Sequence, residues 1–258
     1  MPTDQTIIDK LERADGPERV VLYNADCMDV LPGLDPVDAI IADLPYGTTQ
    51  NAWDCALPLP ALWTHYRRLS SISVLSAQGG FTAELICSNR RDFKYKIVWE
   101  KSKATNFLNA KKQPLRKHED ICVFGRGPYN PQMQPGAPYD KGVRKDQQTG
   151  SYGDFKPAHI RSAGERYPTD VIYFATAESE GAVVHPTQKP LALMRYLVRT
   201  FSDPGGVILD NAMGSGTTGV AAILEGRKFV GIERDPATFA VAEDRIAAAL
   251  RARSQGGE

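Results

Sequence analysis

Gly206-Val207-Ile208-Leu209-Asp210-Asn211-Ala212-Met213-Gly214-Ser215-Gly216-Thr217-Thr218-Gly219 is the stretch from which the fold is read. Its first five residues are an apolar run closed by an acid, the pattern of a buried strand. Gly214 to Gly219 spells G-x-G-x-x-G, and the Ala-rich residues 220–225 that follow are helical in pattern. Residues 228–233 make the next strand, which ends in Glu233, 19 residues after Gly214. Strand, glycine turn, helix, strand and acid in this register predict a nucleotide-binding βαβ unit. The glycines let the backbone approach a ligand, and Glu233 accepts from two ribose hydroxyls. Only one further helix, 236–251, is read after Glu233. The other strands of a doubly wound sheet must therefore come from the N-terminal half.

That half supplies two strands that run into acids. Residues 19–24 lead into Ala25-Asp26-Cys27, residues 28–34 form a short helix or turn, and 37–42 lead into Asp43-Leu44-Pro45-Tyr46-Gly47. The short crossover predicts neighbouring parallel strands whose carboxyl ends share a rim. In the wound order the Asp26 strand is third and the Asp43 strand fourth. Pro45 fixes its own φ and holds Leu44 extended. The Asp43 carboxylate, the Leu44 carbonyl and the Tyr46 ring can then share one pocket. Two acceptors beside a flat ring suit an aromatic amine, and a ring that only stacks tolerates loss of its hydroxyl. The same five residues also read as an ordinary strand-to-loop turn.

Elsewhere, residues 1–18 read as a polar, partly helical lead-in. Helices are expected at 59–69, 81–87 and 191–201, and strands at 71–76, 94–100, 118–124 and, at an edge, 167–175. Residues 102–117 read as a long basic loop, rich in amides and poor in core formers. Residues 90–118 hold ten Lys/Arg against two acids, so a formal net charge of zero conceals a basic band suited to a polyanion. Residues 126–168 contain six Gly, six Pro and four Tyr, and read as an irregular inserted lobe. The expected organisation is 19–125 and 169–251 as halves of one domain, with 126–168 inserted. A hydrophobic content of 42% supports one large core. No run reaches transmembrane length, and four unpaired-looking cysteines fit reduced thiols in the cytoplasm. His118-Glu119-Asp120 is a poor metal set, because adjacent strand residues face opposite sides.

Asp26-Cys27, Asp43-Leu44-Pro45-Tyr46, the basic 106–119 stretch, His185-Pro186-Thr187-Gln188-Lys189-Pro190 and the 210–219 turn occur in that order. This order resembles the β-group of DNA amino-methyltransferases, in which the catalytic motif precedes the S-adenosyl-L-methionine (SAM) motif by permutation. The resemblance implies a Rossmann-like, seven-stranded, circularly permuted SAM-dependent methyltransferase fold with a small target-recognition insertion. It implies that Asp43, Leu44, Pro45 and Tyr46 form the catalytic turn, with Asp43 and the Leu44 carbonyl on the target amine. Asp210, Gly214 and Gly216 would cradle the methionine end of SAM, Glu233 its ribose, and Asp26 with the Cys27 backbone its adenine. Thr187, Gln188 and Lys189 match the turn that closes the methionine pocket. Double-stranded DNA is the implied partner, lying across the 126–168 lobe and a loop with Asn106, Lys111, Lys112 and Arg116. A homodimer is a candidate assembly, no nuclease partner is assigned, and no membrane is involved.

Three positions depart from the family pattern. Leu44 replaces the first proline of Asp-Pro-Pro-Tyr, Asn211-Ala212 stand where Pro-Phe is usual, and Gly47 stands where Asn is common. Asp at position 43 is similar to the adenine-N6 branch. Cytosine-N4 transfer, a catalytically silent DNA-binding relative and a nicotinamide oxidoreductase are the rivals, the last opposed by the chain order.

Overall fold

The structure, a computed structural model, describes residues 9–13, 19–47, 58–144, 157–181, 183 and 188–255. By contacts the chain divides into two compact units, one of residues 131–169 and one of all the rest.

In the larger unit the strands are β1 (Asp9–Arg13), β2 (Val20–Asn24), β3 (Ala39–Ala42), β4 (Ile72–Ala77), β5 (Phe93–Thr105) and β6 (Arg116–Gly125). In the smaller, β7 (Gln134–Pro135) pairs with β10 (Glu165–Arg166), and β8 (Tyr139–Arg144) with β9 (Ala158–Ser162). The larger unit is completed by β11 (Val171–Phe174), β12 (Val207–Asp210) and β13 (Lys228–Glu233). Its helices are α1 (Cys27–Val30), α2 (Leu59–Leu69), α3 (Gly80–Ser88), α4 (Leu191–Phe201), α5 (Thr217–Leu224) and α6 (Pro236–Gln255). The sheet has nine strands in the order β1-β2-β13-β12-β3-β4-β6-β5-β11.

Alternation along each strand splits the core between the two faces of this sheet. Ala39 and Ile41 of β3 pack with Leu193 and Val198 of α4 and Ile223 of α5 on one face. Ile40 and Ala42 pack with Leu62 and Tyr66 of α2 and Phe81 of α3 on the other. Both faces are covered, as strands this uniformly apolar require. Gly219 permits the close approach of α5: a Cβ there would lie 2.6 Å from Ile246 Cδ1 and 2.7 Å from Phe229 Cε1.

Four expectations are corrected. The first concerns β2 and β3, which are not neighbours. The C-terminal strands β13 and β12 insert between them, and all four run parallel. Counting from the glycine-turn strand β12, the sheet still places the Asp26 strand third and the Asp43 strand fourth. Secondly, the sheet carries one strand beyond those expected, β1 beside β2; the seven strands of the resemblance and the expected edge strand, β11, make up the rest.

Thirdly, β1 occupies part of the lead-in expected to be helical, because edge pairing with β2 overrides weak local propensity. Lastly, the long basic loop is shorter than expected, because a strand enters it from each side. β5 runs on to Thr105 and β6 begins at Arg116, with a register shift between Glu100 and Thr105. Cross-strand hydrogen bonding supplies what apolar content did not, and the turn shrinks to 106–115.

No helix among the described residues is long and apolar enough to cross a membrane.

Candidate active site and cofactor rim

Four acids stand at the carboxyl ends of four adjacent parallel strands. Along the rim they follow the order Asp26 (β2), Glu233 (β13), Asp210 (β12) and Asp43 (β3). Three strand spacings separate the first from the last, about 14 Å. The rim is tied together by Asn24, whose Nδ2 donates to the Glu233 carbonyl at 2.9 Å, and by the Ala25 N–H donating to the same oxygen at 3.2 Å.

Each acid is fixed by its local backbone. Asp26 caps α1, its Oδ1 accepting from the Met28 N–H at 2.9 Å, and Cys27 begins the helix with its thiol buried. Burial pushes that thiol up to about 11, so it is not a nucleophile at neutral pH. Glu233 accepts from the Gly214 N–H at 3.0 Å and the Asp235 N–H at 2.8 Å. Each of its oxygens keeps a second lone pair for a hydroxyl. Gly214 and Gly216 hold φ of 52° and 77°, the left-handed region that shapes the turn.

Asp210 is buried and accepts from the Ala212 N–H at 3.1 Å and from Thr218. Burial pushes it up to about 7, the mark of a carboxylate short of a cation. The ammonium of an amino-acid moiety fits that deficit.

The Asp43 turn is the most heavily charged corner. Tyr46 donates its hydroxyl to Asp43 Oδ1 at 2.7 Å, and Lys189 Nζ lies 2.6 Å from Asp43 Oδ2. The ring of Tyr46 stacks on Phe81, with centroids 5.0 Å apart and planes at 26°. The hydroxyl is therefore engaged, which the sequence reading of Tyr46 as a stacking ring alone did not foresee. Burial, then the Asp43 and Glu119 charges, raise the phenol well above its ordinary value, so it stays a donor. Leu44 is 2% exposed and packs in the α2–α3 face of the core, where the usual proline would have less to bury. Pro45 is half-buried beside it.

Lys189 is placed against Asp43. Its Nζ also lies 3.0 Å from Glu119 Oε2, and Lys101 Nζ lies 3.2 Å from Glu119 Oε1. Glu119 and Lys101 were not singled out as site residues. The signal was a strand acid next to Asp120, which turns the other way to Lys96 at 2.8 Å and Thr82 at 2.8 Å. Gln188 is half-buried, and Thr187 lies outside the described residues.

Asn211, at the site of the family's proline, accepts from the buried Tyr66 hydroxyl at 2.5 Å. A polar clasp between α2 and the end of β12 stands where an apolar contact is usual. On the hairpin, Lys111, Lys112 and Arg116 are exposed, while Asn106 sets the tip with φ 73° and accepts from Asn109 Nδ2 at 2.7 Å.

A family model described as DNA methylase, covering the N6 and N4 enzymes, matches residues 79–244. The chain belongs to the N6/N4 DNA methylase family. Among its relatives is DNA adenine methyltransferase YhdJ of Escherichia coli (strain K12), 29% identical over 245 residues, spanning 84% of this chain and 79% of that protein. The fold is shared with the M1.HpyAVI–SAM complex at TM-score 0.61 and 22% identity, covering 88% of this chain and 98% of the other. It is shared too with the cytosine-N4-specific PvuII DNA methyltransferase, at TM-score 0.60 and 13% identity, covering 93% of each chain. The methylase thus has SAM as its cofactor and DNA as its substrate, on the permuted Rossmann-like fold expected from the motif order.

Proposed function

We propose that this methylase transfers a methyl group to adenine N6 in double-stranded DNA. The observation that carries the adenine reading is a carboxylate, Asp43, at the catalytic corner, beside Tyr46 and one strand from Asp210. The name of the Escherichia coli relative agrees with it.

The order of acids along the rim is the order of the cofactor's parts. Asp26 takes the adenine edge, Glu233 the ribose hydroxyls, and Asp210 with Gly214 and Gly216 the methionine end. When bound, SAM supplies an electrophilic methyl group on a sulfonium. The target base is extruded from the duplex, since an amine inside the stack cannot meet that methyl. Asp43 and the Leu44 carbonyl accept its two N–H bonds, which localises the nitrogen lone pair. Tyr46 offers the ring face turned away from Phe81. Orientation and preplaced acceptors are the main catalytic contributions. The exposed hairpin cations Lys111, Lys112 and Arg116 hold phosphates, and the 131–169 unit recognises the target sequence.

The test is incubation with labelled SAM and unmodified genomic DNA, followed by digestion to nucleosides. N6-methyladenine is expected. N4-methylcytosine would move the enzyme to the other branch, and no labelled base would leave a DNA-binding relative without activity.

A further inference from the structure

The turn that carries Lys189 resembles a lining segment of the methionine pocket, yet its ammonium sits on the catalytic carboxylate. Lys101, Glu119, Lys189 and Asp43 form an alternating row of four charges, with contacts of 3.2, 3.0 and 2.6 Å. The side chains of Lys101, Glu119 and Lys189 are 6%, 14% and 12% exposed, so little solvent screens them. Buried charges persist only when paired, and loss of one partner strands the next. Glu119 Oε2 is buried and meets the Lys189 ammonium at 3.0 Å.

We propose that Lys189 is a positioning residue for Asp43, setting its ammonium against the carboxylate and turning it toward the target amine, and not a lining residue of the cofactor pocket. This rests on the methyltransfer reading above. Asp43 must accept an N–H from the incoming base, so the direction in which its carboxylate is held decides the reacting geometry. Three carboxylates crowd this corner, since Glu119 lies beyond Lys189 and Asp210 is close enough to feel Asp43. Lys189 is the cation set between two of them. The Tyr46 hydroxyl, on the other Asp43 oxygen, fixes the rotation of the carboxylate. Burial would lower the Lys189 ammonium, but Asp43 and Glu119 raise it above its ordinary value, so it stays charged. Burial would raise the Glu119 carboxyl, but Lys189 and Lys101 hold it below the usual range. The row is thus a fixed electrostatic support reaching from β5 through β6 to the catalytic turn.

The experiment is single-turnover methylation of unmodified genomic DNA by the full-length protein at saturating SAM, as a function of pH, with SAM affinity measured by calorimetry. Lys189→Met should move the acid limb of the rate upward by about one pH unit or more, with SAM affinity within about twofold of the parent's, well under the tenfold step that 1.4 kcal/mol represents. Lys189→Arg should keep the parent's limb. Glu119→Gln removes an anion and should move the limb the opposite way, a pair of signs that simple loss of packing cannot produce. SAM binding serves as the check of folding, and if Lys189→Met is inactive at every pH, the limbs of Lys189→Arg and Glu119→Gln decide. A tenfold or greater loss of SAM affinity with an unmoved limb would return Lys189 to the cofactor pocket. Absence of methylated base with the parent enzyme overturns the methyltransfer reading itself, which is a different result from a parent that methylates and variants whose limb stays in place.

Discussion

Tyr46 has two separable tasks, one for its ring and one for its hydroxyl. The hydroxyl donates to Asp43 Oδ1 at 2.7 Å, and hydrogen bonds to charged groups contribute about 1.5–3 kcal/mol. Tyr46→Phe should therefore lose roughly ten- to hundredfold in single-turnover rate, where a ring that merely stacks would lose little. Tyr46→Ala should lose a further five- to 150-fold, from base stacking of about 1–3 kcal/mol. Part of that further loss should return on a duplex with the target mispaired, since such a base costs less to unstack. Equal rates for Tyr46→Phe and the parent would show that the hydroxyl contact is dispensable. Asp210 gives a second test at this scale. Burial pushes it up to about 7 in the folded protein, against about 3.9 unfolded. The folded state alone then holds a proton between those values, so this residue makes the cofactor-free protein less stable as pH rises from about 4 to 7. A bound ammonium favours the ionised form, so SAM should bind more tightly as pH rises through 7. Calorimetry at pH 6 in two buffers of different ionisation enthalpy should detect proton release on binding, and Asp210→Asn should abolish it.

At the scale of elements, the β5–β6 hairpin is the part whose function is most open to direct measurement. It carries the basic band, yet part of that charge is spent inside the fold: Lys96 pairs with Asp120, Lys101 with Glu119 and Lys117 with Glu100. The exposed cations near the turn are Lys111, Lys112 and Arg116, and Phe107 and Leu108 stand exposed beside them. Replacing the three cations by Gln should weaken binding to all DNA sequences alike. It should also flatten the log–log salt dependence by about 0.9 per lost phosphate contact. A triple variant with the parent's salt slope would place the duplex elsewhere on the methylase. The contrast with Lys101 is instructive. Lys101 is buried on β5 and reaches Asp43 through Glu119 and Lys189, whereas Lys111 and Lys112 lie in the turn and Arg116 opens β6, all three exposed.

For the molecule as a whole, the division into units predicts a division of labour. Residues 131–169 form their own pair of two-stranded sheets, with Arg166 and Lys141 lying 4.5 and 5.0 Å from the Tyr139 ring and Tyr167 exposed. Replacing this unit with a short Gly-Ser linker should leave SAM affinity near the parent's while abolishing methylation at a preferred sequence. Loss of SAM binding in that variant would mean that the unit also supports the cofactor rim. The strand–turn–helix unit around Gly214, the acids at the strand ends and the turn from Asp43 to Tyr46 were legible from local sequence. Each depends on apolar periodicity, glycine conformation or a residue's place just after a strand, and those are properties of neighbouring residues. The insertion of β13 and β12 between β2 and β3 was legible in the wound order of the sheet and not in the short crossover, because pairing between strands far apart in the chain leaves no local trace. The extension of β5 to Thr105 came from cross-strand hydrogen bonds, which polar residues satisfy as well as apolar ones. Lys189, Glu119 and Lys101 come from three separate segments, and no spacing in the chain relates them. Their alternation of charge around Asp43 is a consequence of burial, since a cation taken out of water must find its anion wherever the fold has brought one.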